Sequence, residues 1–162
     1  MPSTHNYLFV SDLHLSEGQN PKTGHWARNE DFFSDAAFAR MLVYHAGLGR
    51  RPSPPDAYRK PWQLVLNGDV FDFLQVVSLP EDEETLAHVC GVRSQKELSG
   101  NKQGYGLGTR PSETVWKLDQ IYAGHPLFFQ ALAWFLGHEG HEIVWLKGNH
   151  DIEIHWPQVQ ER

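Results

Sequence analysis

Residues 63–72 read QLVLNGDVFD. An apolar run is followed by Asn67 and Gly68, and then by the carboxylates of Asp69 and Asp72. The apolar part is continuous and does not alternate with polar residues, which is typical of a strand buried on both faces of a parallel sheet. Two further runs, at 7–10 and 143–146, have the same character. Helical patterns lie between the three runs, so the sequence predicts a single α/β domain built from βαβ units.

The predicted helices follow from apolar periodicity and from residues that begin or end helices. Glycine-dotted residues 78–110 show little periodicity and are interpreted as an insertion, and RPSPPDAYRKP (51–61) is interpreted as a turn-rich connection. Helices are predicted at 29–45, where Asn29 is the N-cap, at 81–89, at 112–122, at 126–136, where Pro126 takes the first position, and from Pro157 onward.

The composition is that of an ordinary globular protein. Of 162 residues, 40% are hydrophobic and 21% are charged, and the net charge of −6 argues against non-specific binding to nucleic acid. A phosphorylated substrate stays possible, because bound cations can reverse the local charge. The single cysteine, Cys90, suits a reducing compartment. With no leader sequence before Tyr7 and no apolar stretch of roughly 20 residues, the sequence predicts a cytoplasmic protein without a transmembrane segment.

Residues able to bind metal or act as acids and bases come directly after each predicted strand. In open α/β sheets, ligands bind beyond the carboxyl ends of the strands, so these residues are expected to share one edge. Asp12 and His14 are two positions apart, which places both side chains on one side of an extended chain and suits a single metal ion. Carboxylates with some imidazole suit Mn²⁺, Fe or Zn²⁺. The residues are Asp12 and His14, Asp69 and Asp72, and Asn149, His150 and Asp151.

Three motifs in this order resemble a known superfamily. Asp-x-His at 12–14, Gly-Asp-x-x-Asp at 68–72 and Gly-Asn-His-Asp at 148–151 are similar to the first three motifs of the calcineurin-like metallophosphoesterases. Within that superfamily, Ser-Asp-Leu-His-Leu and Gly-Asp-Val-Phe-Asp-Phe are most similar to the bacterial UDP-2,3-diacylglucosamine pyrophosphatase-like branch. The resemblance implies an αββα sandwich, of which this chain would supply the N-terminal, βαβ-rich part.

The resemblance also implies metal ligands. Asp12 and His14 would hold a first divalent ion, Asp69 would bridge two ions, and Asn149 would bind the second. Mn²⁺ is the first choice for both ions, with Fe or Zn²⁺ as alternatives. The implied reaction is hydrolysis of a phosphoester or pyrophosphate bond by a metal-bound hydroxide, between two cations that clamp the attacking and leaving oxygens.

Two further residues receive catalytic roles from the same resemblance. His150 would contact the phosphoryl group or protonate the leaving oxygen, and Asp72 would orient that imidazole. Asp151 is left open between supporting the site and capping the segment that follows it. The implied substrate is a phosphorylated small molecule or a nucleotide-diphosphate-type compound, and no nucleic acid is expected.

The family pattern continues beyond Gly-Asn-His-Asp with histidines from later loops. The chain at 1–162 is therefore interpreted as a C-terminally truncated domain that needs its C-terminal remainder, with weak or absent turnover alone. A non-catalytic metal-binding scaffold of the same fold is the alternative function. Among other histidines, His125 is interpreted as the first residue of a helix, and 137–142 as a solvated turn at the opposite edge of the sheet. Whether His25 and Trp26 reach the rim of the site stays open.

Overall fold

The computed structural model describes residues 5–48 and 60–162. Its centre is a parallel three-stranded sheet in the order β1 (Asn6–Val10), β2 (Trp62–Asn67), β3 (Glu142–Leu146). Phe9 pairs with Val65 and Val65 with Val144, so the three strands run in register. The α/β class and the parallel sheet predicted from the sequence are confirmed. The predicted 51–61 connection lies outside the described residues except for Lys60 and Pro61.

Six α-helices are present in the described part of the chain, and the sequence explains several of their ends. Asp82 begins α2, because its side chain accepts a hydrogen bond from Thr85 N at 2.8 Å, and Gly91 ends it in the left-handed conformation with φ of 72°. Pro111 and Pro126 each occupy a first helical turn. The helices are α1 (Asp35–Leu48), α2 (Glu83–Cys90), α3 (Gly100–Tyr105), α4 (Pro111–Gly124), α5 (Pro126–Leu136) and α6 (Pro157–Gln160).

The main core lies between one face of the sheet and the pair α1 and α5. Leu64 and Leu66 of β2 point into it and meet aromatic and aliphatic side chains from both helices. Neighbouring residues of β1 and β3, in register with these leucines, pack against the same core. This packing fixes the sheet, so the strand ends that carry the candidate site are held on a rigid base. In α1 and α5, the fully buried side chains are Leu42, Phe128 and Phe135.

The opposite face of the sheet is exposed at the two outer strands, which corrects the expectation for β1 and β3, whereas the central β2 is buried on both faces because Val65 on this side is only 6% exposed. Tyr7 is 46% exposed, Phe9 71% and Leu146 45%. Tyr7 and Phe9 stack on each other with ring centroids 6.1 Å apart. Among the described residues no element covers these side chains enough to bury them. The continuous apolar runs therefore describe strands whose two faces are both apolar, although in β1 and β3 only one of the two faces is covered.

Two helical predictions need correction. The helix predicted at 29–45 begins at Asp35, because the Glu30 carboxylate accepts the Phe32 amide at 2.8 Å and is used in tertiary contacts instead of a first helical turn. The region 78–110 contains α3 and a 3₁₀ turn at Gln95–Glu97 besides the predicted short helix. It has a small core of its own, which packs against Trp116 of α4.

No helix in the described ranges combines the length and apolarity that a membrane crossing requires.

Candidate metal centre

The loops after β1 and β2 stay paired beyond the strands. Asp12 N donates to Gly68 O at 3.2 Å, and His14 N donates to Asp69 O at 2.9 Å. Leu15 N continues the ladder to Val70 O at 2.9 Å. These hydrogen bonds hold the first and second motifs side by side at the carboxyl edge of the sheet. The position is the one that the sequence predicted for the candidate site.

Three of the motif residues have a left-handed backbone. Within the described ranges, φ is positive at three non-glycine residues, with values of 55° at Asp12, 52° at His14 and 50° at Asp69. Such a conformation is uncommon for residues with a side chain, although Asp and His adopt it more readily than most. It costs on the order of 1–3 kcal/mol for each residue and clusters at functional sites, where surrounding contacts enforce it. The first two motifs therefore adopt a backbone conformation that the local φ preferences of Asp and His disfavour.

Asp12, His14 and Asp69 form one group suited to a cation. Each offers a ligand atom, and these atoms all lie within 4.8 Å of one another. Asp12 is exposed, while His14 and Asp69 are half-buried, so the group opens to solvent on one side. Two carboxylates and one imidazole are ligands for Mn²⁺, Fe or Zn²⁺. The structure thus brings together all three residues assigned to the first metal.

The third loop is fixed against the second by Gly148 and Asp151. A Cβ atom on Gly148 would lie 2.1 Å from Asp69 Oδ1, so only glycine fits this position. Asp151 is fully buried, and its two carboxylate oxygens accept Gly148 N at 2.7 Å and Val70 N at 2.9 Å. Asp151, whose role the sequence left open, therefore ties the two loops together, and its side chain does not cap the 3₁₀ turn at Ile152–His155.

Asp72 connects two histidines. Its Oδ2 accepts hydrogen bonds from His150 Nδ1 at 2.9 Å and from His14 Nδ1 at 3.3 Å, and the two rings meet edge to face at 4.7 Å. A carboxylate can only accept, so Nδ1 of each ring carries the proton and Nε2 is the nitrogen available to a metal or substrate. Asp72 is therefore hydrogen-bonded to His150, the residue that it was predicted to orient, and also to the predicted metal ligand His14.

Asp72 is itself held rigidly. It is 2% exposed, and its Oδ1 accepts the amides of Leu74 at 3.1 Å and Gln75 at 3.2 Å. Beneath it lies Lys117, also 2% exposed, whose Nζ donates to Phe73 O at 2.9 Å. Burial lowers the pKa of Lys117, although the neighbouring carboxylates of Glu153, Glu113 and Asp72 partly oppose that effect. No sequence pattern marks this lysine, because it lies mid-helix among ordinary amphipathic residues.

Asn149, the predicted ligand of a second metal, lies on the third loop between Gly148 and His150 and is exposed. The neighbouring His150 amide donates to Asp69 Oδ1 at 2.8 Å, so the loop bearing Asn149 lies against the predicted bridging carboxylate. The predicted catalytic and metal-binding residues therefore all come from three adjacent loops at one edge of the sheet.

The other histidines considered from the sequence lie elsewhere. His138 and His141 pack against the aromatic rings of Trp134 and Phe135 at the amino edge of β3, so they are half-buried and not solvated as expected. His25 belongs to a cleft of about 600 Å³ whose other lining residues include Trp26, Ser78 and Trp116.

Comparison of the chain with models of protein families, with curated proteins and with solved structures finds no match in any of the three.

Proposed function

We propose that this chain is a metal-dependent hydrolase of phosphoester or pyrophosphate bonds with a metallophosphoesterase-type αββα architecture. The observation that carries the proposal is the convergence of Asp12, His14 and Asp69 within 4.8 Å at the carboxyl edge of a parallel sheet. Beside that group, the buried carboxylate of Asp72 orients His150. The order of the three motifs along the chain and their resemblance to the calcineurin-like metallophosphoesterases support the same assignment.

The ligand chemistry fits divalent cations. Asp12, His14 and Asp69 would hold the first, and Asp69 with Asn149 would contribute to the second. Bound divalent cations supply Lewis-acid polarisation of phosphoryl oxygens and lower the pKa of a water nucleophile. Mn²⁺ is the proposed ion, with Fe or Zn²⁺ as alternatives.

His150 acts on the substrate in this proposal. Its Nδ1–H is fixed by Asp72 at 2.9 Å, which leaves Nε2 as the atom that meets a phosphoryl oxygen or gives a proton to the leaving oxygen. The imidazole is about one-third exposed, so a substrate can reach it.

The test combines metal binding with hydrolysis of bis(p-nitrophenyl) phosphate after treatment with EDTA and return of Mn²⁺. Asp69→Asn should weaken Mn²⁺ binding and abolish metal-dependent turnover. His150→Gln should keep Mn²⁺ binding and lower kcat by roughly 10²–10⁴-fold. The control is His155→Gln, which changes an exposed histidine nearby and should behave as wild type. Mn²⁺ binding that is insensitive to Asp69→Asn would overturn the proposal.

A non-catalytic metal-binding scaffold is the second candidate. It is favoured by the uneven ligand supply, because the first ion has three converging side chains and the second has only Asp69 and Asn149 as predicted ligands. Asp69-dependent binding of Mn²⁺ without turnover of any phosphoester would support the scaffold. Turnover that is lost on His150→Gln would support the hydrolase.

A further inference from the structure

His125 is a buried histidine held between two carboxylates at the junction of α4 and α5. Its Nε2 lies 3.1 Å from Glu30 Oε2, and its Nδ1 lies 3.1 Å from Asp35 Oδ2. The ring is fully buried, and the rings of Phe32 and Trp26 lie 5.9 Å and 6.2 Å from it. Carboxylates accept hydrogen bonds and cannot donate them while ionised, so both ring nitrogens carry protons and the ring is an imidazolium.

The imidazolium of His125 is paired with two carboxylates, so the cluster as a whole carries one net negative charge. Burial by itself would lower the pKa of His125, but hydrogen bonds to Asp35 and Glu30 outweigh it and raise the pKa to about 9. Burial would likewise raise the pKa of Glu30, but hydrogen bonds from His125, Phe32 N and Gly18 N lower it overall. Isolated charges in such a place would be expensive, whereas a paired and hydrogen-bonded group is stable.

Glu30 connects this cluster to the loop that follows His14. Its carboxylate accepts Ser16 N at 3.1 Å, Ser16 Oγ at 2.8 Å and Gly18 N at 2.6 Å. Glu30 is 4% exposed and Ser16 is fully buried, so water does not compete with these hydrogen bonds. One buried carboxylate thus fixes the backbone two and four residues after a candidate metal ligand.

The backbone at the α4–α5 junction reinforces this contact. Gln19 N donates to Gly124 O at 3.1 Å, and a Cβ atom on Gly18 would lie 2.4 Å from the same oxygen. Gly124 is as tightly placed, because its own Cβ would lie 1.9 Å from Glu17 O. The junction that carries His125 is therefore in van der Waals contact with the 16–19 loop.

His14 is consequently held from both sides along the chain. On one side its own amide and that of Leu15 pair with the loop after β2. On the other side, Ser16 is bound to Glu30. This double restraint matches the left-handed backbone at His14, which needs surrounding contacts to persist.

We propose that Glu30, locked in place by His125, is a positioning residue for the metal ligand His14. The inference rests on the proposed function, because it assigns Glu30 and His125 to the geometry of the proposed metal centre. A positioning role differs from simple stabilisation of the fold: loss of Glu30 must change His14 and its metal affinity at temperatures where the protein is still folded.

Asp35 provides the matched control. Asp35 is the first residue of α1 and, like Glu30, a carboxylate bound to His125. In the part of the chain that the structure describes, the hydrogen bonds of its side chain are to His125. Glu30→Gln and Asp35→Asn each replace one of the two negatively charged carboxylates that face the His125 imidazolium with a neutral amide. Only Glu30→Gln also alters the partner of Ser16 and Gly18.

The experiment has two readouts on folded wild type, Glu30→Gln and Asp35→Asn. One is the Co²⁺ dissociation constant, followed by visible absorption. The other is the ¹⁵N chemical shifts of the His14 ring together with amide hydrogen exchange at Ser16 and Gly18, measured without metal. We expect Glu30→Gln to weaken Co²⁺ binding by about 10–100-fold, as loss of an outer support of a metal ligand does. It should also shift the His14 signals and speed exchange at Ser16 and Gly18, whereas Asp35→Asn should weaken Co²⁺ binding by less than about 3-fold, below that range.

The two readouts separate the two proposals. Equal effects of Glu30→Gln and Asp35→Asn on the His14 signals, or no effect of either, would overturn the positioning role. If wild type fails to bind Co²⁺ at all, the proposed function falls, while the His14 shifts and the exchange rates still decide whether Glu30 positions His14. Rescue of Co²⁺ affinity in Glu30→Asp relative to Glu30→Gln would support the need for a carboxylate.

Discussion

Replacement of Gly148 by alanine is expected to separate the second and third loops of the candidate metal centre. The added Cβ would lie 2.1 Å from Asp69 Oδ1 and 2.4 Å from Asp69 N. Both distances are far below the roughly 3.5–4.0 Å at which non-bonded heavy atoms attract each other. Because Asp69 N belongs to the backbone, rotation of the Asp69 side chain cannot relieve the clash, and the loops must move apart.

The magnitude follows from two contributions. Overpacking of a well-filled site costs about 1–3 kcal/mol. Movement of the loops also stretches the hydrogen bond from His150 N to Asp69 Oδ1, now 2.8 Å, and a hydrogen bond to a charged group contributes about 1.5–3 kcal/mol. The two losses overlap, so we expect the free energy of unfolding to fall by about 3 kcal/mol. For a domain of this size that corresponds to a decrease in Tm of roughly 6–12 °C.

Far-UV circular dichroism would follow thermal and urea unfolding of Gly148→Ala, and Co²⁺ titration would measure the metal centre. Gly104→Ala is the matched control, because no atom lies within 4 Å of an added Cβ at this position in α3. Alanine there should be neutral or stabilising by about 0.5–1 kcal/mol. A Gly148→Ala protein with wild-type Tm and wild-type Co²⁺ affinity would show that the Asp69 carboxylate does not pack against Gly148.

Lys117→Met should reduce the free energy of unfolding by roughly 1–3 kcal/mol in urea, since Phe73 O loses its buried donor; a more stable variant would contradict this role. The pKa of His125 is raised and that of Glu30 is lowered. The contribution of His125 to the free energy of unfolding is therefore complete below pH 6.5, and that of Glu30 is complete above pH 4.5. Stability should therefore fall by about 3 kcal/mol as pH rises from 6.5 through about 9, at about 1.4 kcal/mol for each pH unit; an equally steep fall in His125→Gln would contradict the assignment. Phe9→Thr should cost less than about 1 kcal/mol, because the ring is 71% exposed; a loss above about 2 kcal/mol in the same assay would mean that this face is covered.

The sheet and the edge that carries the site could be predicted from sequence because both depend on short-range signals. Continuous apolar runs mark parallel strands, and residues that directly follow such strands must emerge at one edge. The residue types and spacing at Asp12, His14 and Asp69 then pointed to a cation group, which the geometry supports within 4.8 Å. None of these steps required knowledge of which side chains meet across the fold.

The cluster around His125 could not be predicted for the opposite reason. Glu30 and His125 are 95 residues apart, and each has an ordinary local explanation, one as an acidic residue of a first helical turn and the other as the residue before a proline-initiated helix. The pairing overrode the local preference of 29–34 for helix and delayed α1 to Asp35. A possible signal was Gly124-His125-Pro126, because glycine before a buried helix junction indicates close approach of another backbone.

The backbone at the candidate centre gives the reason why its geometry depends on contacts distant in sequence. Positive φ at Asp12, His14 and Asp69 opposes folding by on the order of 1–3 kcal/mol at each residue, and local backbone preference does not compensate for it. The compensation comes from hydrogen bonds between loops and from buried carboxylates that bind loop amides, such as Asp151 and Glu30. A motif identified in sequence therefore specifies candidate ligands, while contacts between the motifs, and with residues outside them such as Glu30, hold those side chains in place.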